Sequence, residues 1–177
     1  MSSSTKKTLP ERIIHPIDPF FDADSRILIL GSFPSVKSRE VRFFYGHPQN
    51  RFWKVIAAVF GGETPDTIAE KKAFLKQNHI AMWDSIHSCT IIGSSDSSIR
   101  DAVPNDIRMI LKTGKIRRIF CNGTTSFKMY KKYIFPQTGI EAVKLPSTSP
   151  ANAAWNVDRL TEAWRICADT VKSSEME

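Results

Sequence analysis

The chain has 177 residues, enough for one domain with a proper core and too few for two comfortable ones. Its 41% hydrophobic and 24% charged content is that of a soluble globular protein, and no apolar run approaches the ~20 residues of a membrane span, so no membrane partner is expected. A formal net charge of +7 favours a polyanionic partner, while Cys89, Cys121 and Cys167 stand far apart without CxxC spacing, so no metal, iron–sulfur cluster or other cofactor is implied.

Residues 1–10 are polar and aperiodic and read as a flexible tail; they do not lead into an apolar signal segment, which points to the cytoplasm, or the nucleoid of a prokaryote. The single domain is expected over 11–171. Residues 11–24, with two prolines among apolar residues, read as an irregular segment lying across it. Arg26 to Leu30 is a continuous apolar run closed by Gly31, the pattern of a strand buried on both faces of a parallel sheet. A long loop follows to Asn50, and then Phe52, Val55, Ile56 and Val59 at helical spacing predict a helix ended by Gly61-Gly62.

Thr64-Pro65 reads as the cap and first position of the next helix, which leads to a second strand at 79–84 that ends on Asp84. Residues 85–101 read as a serine-rich loop. Asn105 to Lys112 predicts a helix, Lys115 to Cys121 a third strand, and Asn122-Gly123 a turn into a helix bearing Phe127, Tyr130 and Tyr133. Ile140 to Leu145 is a fourth strand. Residues 146–152 form a loop, and Asn156 to Val171 form the last helix, with Leu160, Ala163, Trp164 and Cys167 on its core stripe. A flexible tail is expected over 172–177. Apolar strands alternating with helices imply an α/β fold, a three-layer α/β/α sandwich around a parallel sheet of about four strands with right-handed crossovers.

In an open α/β sheet ligands sit beyond the carboxyl ends of the strands. Chemistry is expected in the loops 31–50, 85–101 and 146–152, and the first and last of these open with Asn122-Gly123 on one edge, which is the candidate site. No Gly-rich phosphate loop follows the first strand. By residue type alone, Asn50 reads first as a helix cap, although its amide could both accept from water and donate to a base. Tyr45, Phe44 and Phe33 could stack on a base or pack in the core. Lys37, Arg39, Arg42 and Arg51 could neutralise phosphates or stay solvated.

The run Gly31-Ser32-Phe33-Pro34-Ser35, then Ser38-Arg39, then Phe44-Tyr45-x-His47-Pro48-Gln49-Asn50-Arg51-Phe52-Trp53, resembles the uracil-DNA glycosylase superfamily, and within it the deoxyinosine (hypoxanthine) DNA glycosylase branch. The resemblance continues through the segments around Asp84, Asp96, Asn122 and Ser147-Thr148-Ser149. It implies a monofunctional enzyme that flips a deaminated base out of DNA and hydrolyses its glycosidic bond, in base excision repair, acting as a monomer. The superfamily's water-handling Asn or Asp is replaced by Phe33, which can neither bind nor orient water.

The resemblance therefore implies that Asn50 is catalytic, with Asp96 as the alternative carboxylate for the water. It further implies that Tyr45, Phe33, Phe44, His47 and Ser32 contact the base. Ser147, Thr148, Ser149 and Asn152, with Arg39, Arg51 and Lys37, are implied to contact DNA. Two other readings remain open: a glycosylase mainly for uracil or another damaged base, and a non-catalytic nucleic-acid-binding α/β module.

Overall fold

A computed structural model describes residues 9–176, so residues 1–8 of the expected tail lie outside the described residues. A four-stranded, all-parallel sheet forms the centre: β2 (Ile27–Gly31), β3 (Ile80–Asp84), β6 (Arg118–Asn122) and β7 (Ala142–Leu145), in the order β3-β2-β6-β7. All of β2 is buried, and its side chains alternate between two cores. Ile27 and Ile29 face a layer formed by α2 (Phe52–Phe60) and α7 (Val157–Glu175), with Leu75 of α3 (Ile68–Gln77) behind them. Leu28 and Leu30 face the layer of α4 (Arg108–Thr113) and the helix that follows β6. That alternation makes a continuous apolar run into the middle strand of a three-layer sandwich.

The expected irregular segment and the expected serine-rich loop are in large part a second sheet. β1 (Glu11–Ile14), β4 (Ile86–Ile91) and β5 (Arg100–Pro104) pair antiparallel in the order β1-β4-β5, over a small core of Phe33, Ile86, Cys89, Ile91 and Ile99. β1 pairs with β4 across 74 to 80 residues of chain, Ile13 with Cys89 and Ile14 with Ser88, and so carries no local turn signal to announce it. Past β1 the chain makes one more antiparallel bridge, Phe20 with Met82, along the outer edge of β3.

Other boundaries moved for chemical reasons. The short helix α1 (Val36–Val41), hidden inside the long loop, starts because the Ser35 hydroxyl accepts from the Ser38 amide, and it ends at Arg42 in the left-handed region. α3 is capped by Thr67 rather than at Thr64-Pro65. Thr67 Oγ1 accepts from Glu70 N and Glu70 Oε2 accepts from Asp66 N, a Thr-x-x-Glu arrangement that uses both partners at once. The helix after β6 runs as α5 (Thr124–Met129), a π-turn over Tyr130–Ile134 and α6 (Phe135–Thr138). α7 continues past Val171 to Glu175, where buried Ser174 accepts from Arg26 and donates to Val171 O.

Trp164 of α7 joins core and site. It is fully buried edge-on to Phe52, and its indole N–H donates to Pro146 O at the start of the loop after β7. Trp164→Ala is expected to cost about 3–5 kcal/mol in urea-induced unfolding, whereas Trp164→Phe, which keeps most of the ring and loses the hydrogen bond, should cost about 1–2 kcal/mol.

Candidate active site

The four parallel strands reach one edge, and the site lies where the strand order reverses, beside β2 and β6. A cavity of about 1000 Å³ opens there. Gly31 to Ser35, the turn around Tyr45 to Asn50, Asp84, the loop around Asp96, Asn122 and residues 144–152 all line it.

One amide organises the wall. Asn122, the last residue of β6, donates from Nδ2 to both Tyr45 Oη and Thr148 Oγ1 at 3.0 Å, and its Oδ1 accepts from Thr148 N at 3.1 Å. Thr148 is fully buried and passes its own hydroxyl proton to Asn50 Oδ1 at 2.9 Å. The same Asn50 oxygen accepts from Phe52 N at 2.9 Å, which caps α2 and fixes which end of the amide is oxygen. Both lone pairs of that oxygen are thus in use, and Nδ2 is the end of Asn50 left for a ligand.

Tyr45 is held three ways. Its ring stacks on Phe52 with centroids 4.2 Å apart, its oxygen accepts from Asn122, and its φ of 52° is one that non-glycine residues rarely adopt. Burial raises the phenol pKa, and the charge of Asp84 adds to this, so Tyr45 stays protonated. Elsewhere on the cavity lining, Ser32 Oγ donates to the Asp96 carboxylate, 3.0 Å from each oxygen. Burial pushes the Asp96 carboxyl above the usual carboxylate range; Asp84's charge adds to that, and hydrogen bonds from Ser32 and Thr125 oppose it.

The residues expected to contact base or DNA divide into two groups. Ser32, Phe33, Phe44, Tyr45, His47, Asn50, Asp96, Ser147, Thr148, Ser149 and Asn152 all line the cavity. Within it Phe44 is a core residue that packs on Phe43, and Phe33 packs with the second sheet. His47 Nδ1 accepts from Gln49 N and shapes its own turn. Ser147 and Ser149 accept from backbone amides within their loop, and Asn152 donates to Ser147 O.

The second group, Arg39, Arg51 and Lys37, is not at the cavity wall. The Arg51 guanidinium turns inward to the carbonyls of Thr148, Ser149, Asn152 and Trp155 and so ties the whole loop to α2. Arg39 donates to Pro34 O and Gly93 O and latches the Asp96 loop to α1, helped by Val36 N donating to Ser94 Oγ. Lys37 is exposed and pairs with Glu40.

Sequence reading missed three groups. Lys144 of β7 and Thr125 line the cavity without belonging to any pattern that marks them. Asp84 lines it too, with its carboxylate 2.7 Å from His15 Nε2. The only signal for Asp84 was its place as the charged residue ending an apolar strand. Among the described residues no group of His, Cys, Asp or Glu could hold a metal ion, and no helix is long and apolar enough to cross a membrane.

The chain is similar to known proteins over most of its length. The chain is 34% identical over 142 residues to a hypoxanthine DNA glycosylase of Methanosarcina acetivorans, covering 80% of this chain and 89% of that protein. It is 29% identical over 136 residues to a hypoxanthine DNA glycosylase of Methanosarcina barkeri, covering 76% and 85%. A solution NMR structure from Methanosarcina acetivorans, described as a candidate uracil DNA glycosylase, superposes with a TM-score of 0.74 at 33% identity, over 89% of this chain and 99% of that one. The family model for the uracil DNA glycosylase superfamily matches residues 19–168, and the chain belongs to that superfamily.

Proposed function

We propose that this protein removes hypoxanthine from DNA. It extrudes the deoxyinosine into the cavity, hydrolyses the bond between C1′ and N9, and leaves an abasic site in an uncut strand. The observation that carries this reading is the convergence of Tyr45, Asn50, Asn122 and Thr148 in one hydrogen-bonded wall, with Asp96 lining the same cavity. The relatives named as hypoxanthine DNA glycosylases support the choice of base.

Glycosidic cleavage develops positive charge on the sugar and negative charge on the departing base. The Asp96 carboxylate stabilises the former and accepts a proton from the water that bonds to C1′, while the C1′–N9 electron pair leaves with the base. Asn50 works as a donor: with its oxygen held by Phe52 N and Thr148 Oγ1, Nδ2 is the end that meets the extruded nucleotide. The Tyr45 ring, backed by Phe52 on one face, offers its other face for stacking. Flipping costs roughly a few kcal/mol and less at a mispair, so inosine opposite thymine is the easier substrate.

Duplexes carrying a single inosine, uracil or xanthine, treated with the protein and then with alkali, test the reading. Inosine strands should break and uracil strands should not; robust uracil release without inosine release would overturn the choice of base. In single-turnover assays Asn50→Ala is expected to slow excision about 10²–10³-fold with duplex binding retained.

The pH profile separates the carboxylate from the amide. Asp96 must be ionised to accept the proton, and its folded pKa is raised, so activity should climb with pH through a limb lying above the ordinary carboxylate range. In Asp96→Asn that limb should disappear along with most of the rate; a wild-type rate in this variant would remove Asp96 from the chemistry.

A further inference from the structure

Asp84, which lines the cavity, forms with His15 a buried pair that none of the steps above uses. The His15 side chain is 1% exposed and that of Asp84 7%, and His15 Nε2 lies 2.7 Å from Asp84 Oδ2. The proton on the ring can be placed. His15 Nδ1 accepts from Ile17 N at 3.2 Å, so the hydrogen is on Nε2, and the ring donates it to Asp84. The ring cannot turn away, because it stands edge-on between Phe33 and Trp83 at centroid distances of 5.8 and 6.0 Å. The backbone beneath is fixed as well, with Asn105 Nδ2 donating to Asp84 O and Ser85 N to Gly31 O.

With Oδ2 occupied by His15, Oδ1 is the oxygen that remains. It lies over Gly31 at the end of β2: a methyl group there would come within 2.3 Å of Asp84 Oδ1 and 3.1 Å of Tyr45 Oη. Gly31, Tyr45 and Asp84 all line the cavity. A base stacked on the Tyr45 ring would therefore present an edge to Asp84 Oδ1. Burying a carboxylate is costly, and an apolar pair would usually hold this junction better, so the arrangement calls for a role beyond packing.

We propose that Asp84 reads a ring N–H on the edge of the extruded base, and that His15 is the positioning residue that keeps its free oxygen aimed as an acceptor. This rests on the excision of hypoxanthine and names how that base is chosen. Deamination of adenine turns N1 from a lone pair into an N–H. An acceptor-only oxygen facing N1 gains a charge-assisted hydrogen bond from hypoxanthine and meets a lone pair in adenine. Sites built on such a hydrogen bond discriminate by up to about 10⁴–10⁵-fold, far more than shape alone provides.

The test compares duplexes containing deoxyinosine, N1-methyldeoxyinosine or deoxyadenosine. In the wild-type protein the N1-methyl group should lower kcat/KM by about 10²-fold or more. His15→Leu should lower kcat/KM on deoxyinosine by about 10–100-fold and shrink the ratio between the two inosines, and His15→Gln, which can still donate to Oδ2, should recover most of both.

Asp84→Asn carries the test should His15→Leu fail to fold. His15 can only donate, so it binds the amide oxygen and turns NH₂ toward the base, and the preference for hypoxanthine over adenine should fall by about 10²-fold or more. Equal excision of the two inosines by the wild type overturns the proposal, as does an unchanged inosine ratio in folded His15→Leu or an unchanged hypoxanthine preference in Asp84→Asn. A wild type that releases no hypoxanthine defeats the excision reading instead. Equilibrium binding of free hypoxanthine and 1-methylhypoxanthine then decides the inference: tighter binding of hypoxanthine supports it, and equal or undetectable binding of the two overturns it.

Discussion

The side-chain amide of Asn122 is the interaction on which the cavity wall depends. It engages Tyr45 from the loop after β2 and, twice, Thr148 from the loop after β7, and through Thr148 it reaches Asn50 at the start of α2. Asn122 uses both amide hydrogens and its oxygen in that chain, and Thr148 both accepts and donates, which makes such a buried network stiff. Its consequence is directional: Asn50 can only donate, and the Tyr45 hydroxyl, accepting from Asn122, keeps its own proton. Arg51 gives the same wall a second brace, holding four carbonyls of residues 148–155 against α2.

The electrostatics of the cavity run against those of the chain. A formal net charge of +7 suits a polyanion, yet the walls hold two carboxylates, Asp84 and Asp96, close enough for the charge of Asp84 to reach Asp96. Loss of solvent makes the Asp96 carboxyl harder to ionise, and the charge of Asp84 adds to this. A reaction whose transition state places positive charge on a sugar gives that arrangement a function.

Much of the scaffold was legible because it is written in local periodicity. The apolar run before Gly31, the helical spacing of Phe52, Val55 and Ile56, and the strands near residues 80 and 120 all stand where pattern placed them. The antiparallel sheet was not legible, since β1 and β4 pair across 74 to 80 residues and their registers depend on contacts that no window of sequence contains. The carbonyl partners of Arg39 and Arg51 were illegible for a related reason. A basic residue on a loop looks like a phosphate contact until the carbonyls it satisfies, 54 and about 100 residues away, come into place.

The sequence by itself determined the parallel α/β scaffold and the edge on which the candidate site lies, because both follow from the periodicity of the apolar runs. Only the tertiary structure decided the direction of the Asn50 amide, which is set by Phe52 N and Thr148 Oγ1. It also decided the pairing of His15 with Asp84, 69 residues apart. Donor and acceptor roles depend on what surrounds each polar group, and those surroundings exist only once the distant segments have packed together.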